Sequence, residues 1–378
     1  MSGLKKIMAD VAINLRGPRL GRKIVVFESD DWGNIRMPSR VLQDSLAEKG
    51  FLFAKRHYER VDSIAREDDL EELFSLLSQY KDRYGHHPVI TAMTVMANPD
   101  FEKIKASEFT SYAYRSLKEV LQDYSQSSDS IFSLWQEGIR DKVFFPQFHG
   151  REHLNVCQWL RDLKAKDNDN RMAFELGIPG FFERSCPDKG NIYAKALKVY
   201  RPEDTDFIKQ SIEDGLNLFE STFGYRSESF MAPSYTWNDD VERSLQKKGV
   251  RFLQSVYYQN CPTLDGRNEV RHHYFGQKNE LGQYYLLRNC TFEPSQQNYS
   301  SSVVDNCLKE IAIAFRFGKP ATISVHRLNF IGAIHKENRE QSLKLLEELL
   351  SRIMGKWPDV EFMTSVEVGE LLLNKERL

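Results

Sequence analysis

The sequence predicts an α/β fold, a distorted (β/α)7-type barrel of parallel strands with its site at their C-terminal ends. Three observations carry this expectation. Short β-branched or aromatic runs alternate with amphipathic stretches, and parallel neighbours need such a crossover connection. Seven runs can be counted, which suits a closed or nearly closed barrel, although an open doubly wound sheet fits the same alternation. Acids and histidines directly follow several runs, where α/β enzymes keep their active sites.

The elements read in order as follows. "KIVVF" (residues 23–27) is the first strand. Leu70, Leu73, Phe74, Leu77 and Tyr80 repeat at a helical period that Gly85 can stop. "VITAMTVM" (89–96), "KVFFPQF" (142–148), "ESFMA" (228–232), "VRFLQS" (250–255), "ATISV" (321–325) and "VEFMT" (360–364) are the other strands. Helices are expected at 154–166, 206–223, 239–248, 303–316 and 337–354. Residues 167–205 and 257–300 break the alternation. They are rich in turn residues and aromatics, and so read as two long inserted loops of the kind that form lids or substrate walls.

Composition narrows the function classes. The chain is long enough for one large domain, with 41% hydrophobic and 28% charged residues. A net charge of -2 makes no electrostatic case for a nucleic-acid partner. No apolar run nears the roughly 18 residues of a bilayer span. Five cysteines without C-x-x-C spacing argue against a disulfide framework or a cysteine zinc site. Residues 1–22 are basic and mildly amphipathic, with Ile7, Val11 and Leu15 on one face. They predict a helix docked on the domain, with loose attachment to an anionic membrane as the minor alternative. No signal-peptide core is evident, so the cytoplasm is the expected compartment.

Four segments could carry chemistry. "ESDDWG" sets Asp30 and Asp31 after the first strand, either as a turn with a helix cap or as site carboxylates. "HGREH" holds His149 and His153 four apart, one turn if helical, so that both imidazoles reach one ion or His153 joins the core stripe. Two histidines, a carboxylate such as Asp31 and an exchangeable water would form a catalytic metal site. "FMAPSYTWN" offers Pro233, Tyr235 and Trp237 as an aromatic edge for a sugar, or as a loop packed on itself. His326 closes the strand "ATISV".

In this order the motifs resemble those of the polysaccharide deacetylase family, the NodB-homology enzymes like carbohydrate esterase family 4, from about Lys23 to Leu372. The resemblance implies a single catalytic domain over residues 23–373, with the insertions at about 167–205 and 257–300. It implies Asp30 as catalytic base, Asp31, His149 and His153 as metal ligands, and His326 as general acid. Trp32, Pro233, Tyr235, Trp237 and Arg327 are the expected substrate contacts. The implied reaction is metal-dependent removal of an acetyl group from an N- or O-acetylated sugar or glycan. Zn²⁺ is the simplest ion, with Co²⁺, Ni²⁺ or Mn²⁺ open. The chain departs from the family at Met231, which takes the place of an arginine that orients the base; Arg327 and Arg288 are the candidate substitutes. The partner of His326 has no match. Three rivals stand beside this reading. One is a zinc peptidase using His149-x-x-Glu152-His153, another a glycoside hydrolase with two carboxylates, and the third an inactive glycan-binding protein.

Overall fold

The computed structural model describes residues 3–51, 57–126, 130–165, 169–179, 192–264 and 267–376. Its main sheet is parallel throughout and built from β1 (Ile24–Trp32), β2 (Ile90–Thr94), β3 (Phe144–Phe148), β4 (Ser229–Met231), β5 (Phe252–Ser255), β6 (Tyr284–Leu287), β7 (Cys290–Thr291), β8 (Ala321–His326) and β9 (Glu361–Phe362). The order runs β6-β5-β4-β3-β2-β1-β8-β7, with β9 on the lower end of β1. Every residue of β1 is buried, as in a parallel sheet covered on both faces.

Closure comes from a segment expected to be an insertion. β6 pairs with β5, and β7, only two residues later, pairs with β8 at the other end of the series. The switch occurs at Arg288, whose N–H donates to the Ser255 carbonyl, and Asn289, whose N–H donates to the Thr322 carbonyl. β6 and β7 are therefore two halves of one strand, which brings the barrel to seven. The stretch 257–300 thus belongs partly to the sheet, and "VEFMT" supplies only the short accessory β9. The signal was the run Tyr284, Tyr285, Leu286 and Leu287, buried throughout, amid polar neighbours. Of 167–205, a helix Asp169–Glu175 and a turn Ile192–Ala194 are described, while 180–191 lie outside the described residues.

The expected helices form at Glu67–Ser78, Val156–Lys164, Asp204–Phe223, Asp239–Lys247, Ser302–Arg316 and Lys336–Lys356. They pack the outer faces of the strands, and their apolar stripes complete a continuous core. The first helix, α1 (Gly3–Leu15), docks on the domain as expected, but through Ile13 and polar contacts and not by the Ile7 and Leu15 side. Lys6 pairs with Glu310, and Asn14 accepts from Asn289 at 2.8 Å, while Ile7 and Leu15 face outward.

Candidate metal and acid–base site

Neighbouring residues on a regular strand point to opposite faces, so Asp30 and Asp31 could not both face one site without a local irregularity. β1 supplies it. Ser29 is opposite Ala92 and Trp32 opposite Thr94, so one extra residue is accommodated between them. Asp31 takes the strain of this bulge, with φ at +73°. Such a conformation costs a non-glycine residue about 1–3 kcal/mol and often re-aims a side chain beside an active site.

His149 and His153 are not on a helix, which corrects the expected one-turn spacing. The helix starts at Val156, capped by Asn155, and the two histidines lie on the loop between it and β3. Gly150 turns this loop with φ at +108°, a conformation glycine adopts without penalty. His149 Nδ1 donates to the Met231 carbonyl at 2.8 Å, which leaves Nε2 as the acceptor atom. That Nε2 is buried, has no hydrogen-bond partner among the described residues and lies 3.6 Å from Asp31 Oδ1. His153 Nε2 stands 3.3 Å from the same oxygen. One ligand atom from each of the three side chains lies within 4.8 Å of the other two.

This set can hold a divalent cation. Two imidazoles and a carboxylate suit it chemically, and the orphaned Nε2 is the observation expected of a group prepared for a ligand. Burial lowers the His153 pKa to about 3, against the pull of Asp31, so a neutral imidazole faces the cluster. Burial alone would raise the Asp31 carboxyl, but His153, Arg36 and His149 hold it well below the usual carboxylate range. Its two oxygens are divided. Oδ1 faces the histidines, and Oδ2 accepts from Arg36 at 3.3 Å.

Asp30 is gripped by Arg288, whose two terminal nitrogens each donate at 2.6 Å, one to each carboxylate oxygen. The Arg288 Nε donates to Glu28 at 2.6 Å, and Glu28 also accepts from Ser365. Burial would raise the Asp30 carboxyl, yet the guanidinium outweighs it and keeps the group an anion below its ordinary range. Of the two arginines named from sequence as candidates for the place left open at Met231, Arg288 is the one that contacts Asp30. It arrives from the switch between β6 and β7. Tyr235 joins this group by accepting from Arg288 at 3.2 Å, and Pro233 beside it is buried. Ser234 donates to the Ala194 carbonyl at 3.2 Å, so part of the first long stretch borders this edge.

His326 is the direct ladder neighbour of Asp30. Its Nδ1 meets Glu293 at 2.6 Å, and Glu293 also accepts from Asn329 at 2.7 Å. On the other side Nε2 lies 3.0 Å from the Tyr58 hydroxyl and 3.7 Å from Asp30. Burial would lower this imidazole, but Glu293, with Asp30 and Asp31, pushes it up to about 9. Glu293 and Tyr58 were missed. Glu293 follows β7 in the stretch read as a loop, and Tyr58 sits in a short helix, His57–Val61, with no motif around it.

Three expected substrate contacts belong elsewhere. Trp32 is buried, donates to Ser29 and packs edge-on against Trp135 and Phe144. Trp237 is equally buried and donates to Glu242. Arg327 is fully buried on Asp62 and the Asn34 carbonyl. An aromatic or charged residue beside a motif was read as facing the site, but each turns into the core.

No curated protein sequence matches the chain. Solved structures similar to it include a probable polysaccharide deacetylase from Pseudomonas aeruginosa, at 9% identity and a TM-score of 0.49, covering 94% of each chain. They also include the α-amylase AmyC from Thermotoga maritima, at 10% identity and a TM-score of 0.46, covering 93% of this chain and 75% of that one. A third is the Xyl-CE4 domain of a multidomain xylanase from a Trinervitermes trinervoides hindgut metagenome. It shows 11% identity and a TM-score of 0.36, covering 94% and 92%. Polysaccharide deacetylases, the resemblance drawn from the motifs, are thus among the similar structures. The sequence model of glycosyl hydrolase family 57 matches residues 129–328, more than half of the 378, and the chain belongs to that family.

Proposed function

We propose that the chain removes an acetyl group from an N- or O-acetylated sugar or glycan by metal-assisted hydrolysis. The observation that carries this is the buried, unpartnered Nε2 of His149, facing Asp31 and His153 beside the clamped Asp30. Asp31, His149 and His153 would hold the cation, most simply Zn²⁺. When bound, a divalent cation supplies Lewis acidity, lowering the pKa of a water and polarising the acetyl carbonyl.

The remaining work falls to the chain. Asp30 takes the proton from the attacking water, and Arg288 keeps it an anion and fixes its orientation. His326, held protonated by Glu293, gives a proton to the leaving nitrogen or oxygen. Tyr58 occupies the Nε2 side of that imidazole, so a substrate must displace it or share the contact. Tyr235 and Pro233 edge the substrate path. The sugar's identity, and the choice between amide and ester, belong to loops bordering this edge.

A glycoside hydrolase is the second reading, favoured by the family match. It needs one carboxyl that stays protonated and one that acts as base or nucleophile. Asp30 is held ionised by Arg288 and Glu293 is committed to His326, which supports the deacetylase instead. The peptidase reading loses its base, because Glu152 accepts from Arg151 at 2.5 Å and Ser211 at 3.2 Å and is absent from the cation cluster.

The deciding experiment incubates metal-loaded protein with N-acetylated chito-oligosaccharides and O-acetylated xylan, assaying acetate and new reducing ends together. Acetate released without reducing ends, and abolished by chelation, is expected. Reducing ends without acetate would establish the glycosidase, and neither product the inactive binder.

A further inference from the structure

An amphipathic helix normally buries its apolar face and wets the polar one. α1 packs Ile13 against the core but otherwise does the reverse. Lys6, Asp10 and Asn14 turn toward the domain, where Lys6 pairs with Glu310 and Asp10 and Asn14 meets Asn289. By helical spacing, Ile7, Val11, Leu15, Met8 and Ala12 share the opposite side. Ile7 is 53% exposed, Met8 64% and Leu15 62%. The next positions around the helix, Lys5 and Arg16, are exposed as well, with Arg16 lying over the Tyr274 ring at 4.5 Å.

We propose that this outward face of α1 seats the protein on an anionic lipid surface, with the helix lying in the plane of the headgroups. Charge selects this occupant. Residues 1–23 hold six lysines and arginines against one aspartate, while the chain as a whole carries -2. Two of these, Lys5 and Arg16, flank the exposed apolar face, whereas Lys6, Arg22 and Lys23 are paired with Glu310, Glu361 and Asp359; the two flanking cations on an otherwise acidic protein attract anionic lipid. A second copy presenting the same basic face would be repelled. At 13 residues α1 is about 20 Å long, and no helix among the described residues is long and apolar enough to cross a membrane. Contact is therefore peripheral. The inference is independent of which bond the site cleaves, because α1 touches none of its residues.

The test uses the full chain in co-sedimentation with vesicles of phosphatidylcholine alone or mixed with phosphatidylglycerol. Binding is expected to the mixed vesicles only and to fall as salt rises. Met8→Asp and Leu15→Asp should each cut it about tenfold or more, with melting temperature and activity on a soluble acetylated sugar unchanged. Three outcomes would overturn the proposal: no binding to the mixed vesicles, binding that ignores both substitutions, or a wild-type dimer by light scattering that Met8→Asp dissociates.

Discussion

His153 and His326 are both deeply placed, with side chains only 6% and 21% exposed, yet they are driven in opposite directions. At His153 burial prevails over Asp31, helped by Arg36 and His149, and the pKa falls to about 3. At His326 burial loses to Glu293, Asp30 and Asp31, and the pKa climbs to about 9. One half of the site thus presents a neutral imidazole suited to a cation, and the other a protonated imidazole suited to donating. The two aspartates divide similarly, Asp31 toward the histidines and Asp30 onto Arg288. The lesson is that contact partners, more than depth, assign a buried titratable group its role.

The sharpest way to break the comparison is at Asp31. Asp31→Asn keeps the shape and removes the charge, so metal affinity should fall more than about 100-fold, beyond the loss expected for an outer hydrogen-bond partner. Elemental analysis after dialysis would read this, and full metal content in the variant would sink the cation assignment. At His326 the expectation is different in kind. His326→Gln should lower kcat by about 10²- to 10⁴-fold while the metal stays bound. Loss of both together would merge the two halves into one.

Glu293→Gln tests the cause of the upward shift. The folded pKa of His326 is raised above its unfolded value, so its contribution to stability is complete below about 6.5 and is lost as pH rises through about 9. Chemical denaturation across that window should show wild-type stability falling with pH and the variant nearly insensitive. The alkaline limb of the variant's pH–rate profile should move downward. The smallest effect is Tyr58→Phe. Removing one hydrogen bond worth about 1 kcal/mol should shift that limb by less than about one pH unit. A shift as large as that of Glu293→Gln would make Tyr58, not Glu293, the controlling partner.

Strand positions were largely legible, because β-branched and aromatic runs are local signals. Asp30, Asp31, His149, His153 and His326 were singled out from sequence, and the fold gathers them: Asp30 and Asp31 lie at the end of β1, His326 ends β8, and His149 and His153 come just after β3. The means of convergence was not legible. Asp31 reaches the histidines through a bulge, and the histidines meet on a glycine loop instead of a helix. Trp32, Trp237 and Arg327 show the converse error, since residue type next to a motif does not disclose which face a side chain takes.

From the sequence alone come the alternation of strands and helices and the chemical types gathered at the strand ends, since both reside in short-range patterns. Tertiary structure alone decided that Tyr284–Leu287 and Cys290–Thr291 close the barrel, that Arg288 clamps Asp30, and that Glu293 charges His326. Asp30 and Arg288 stand 258 residues apart along the chain. No periodicity spans that distance, and only the folded sheet, by setting neighbouring strand ends side by side, gives each carboxylate its cation.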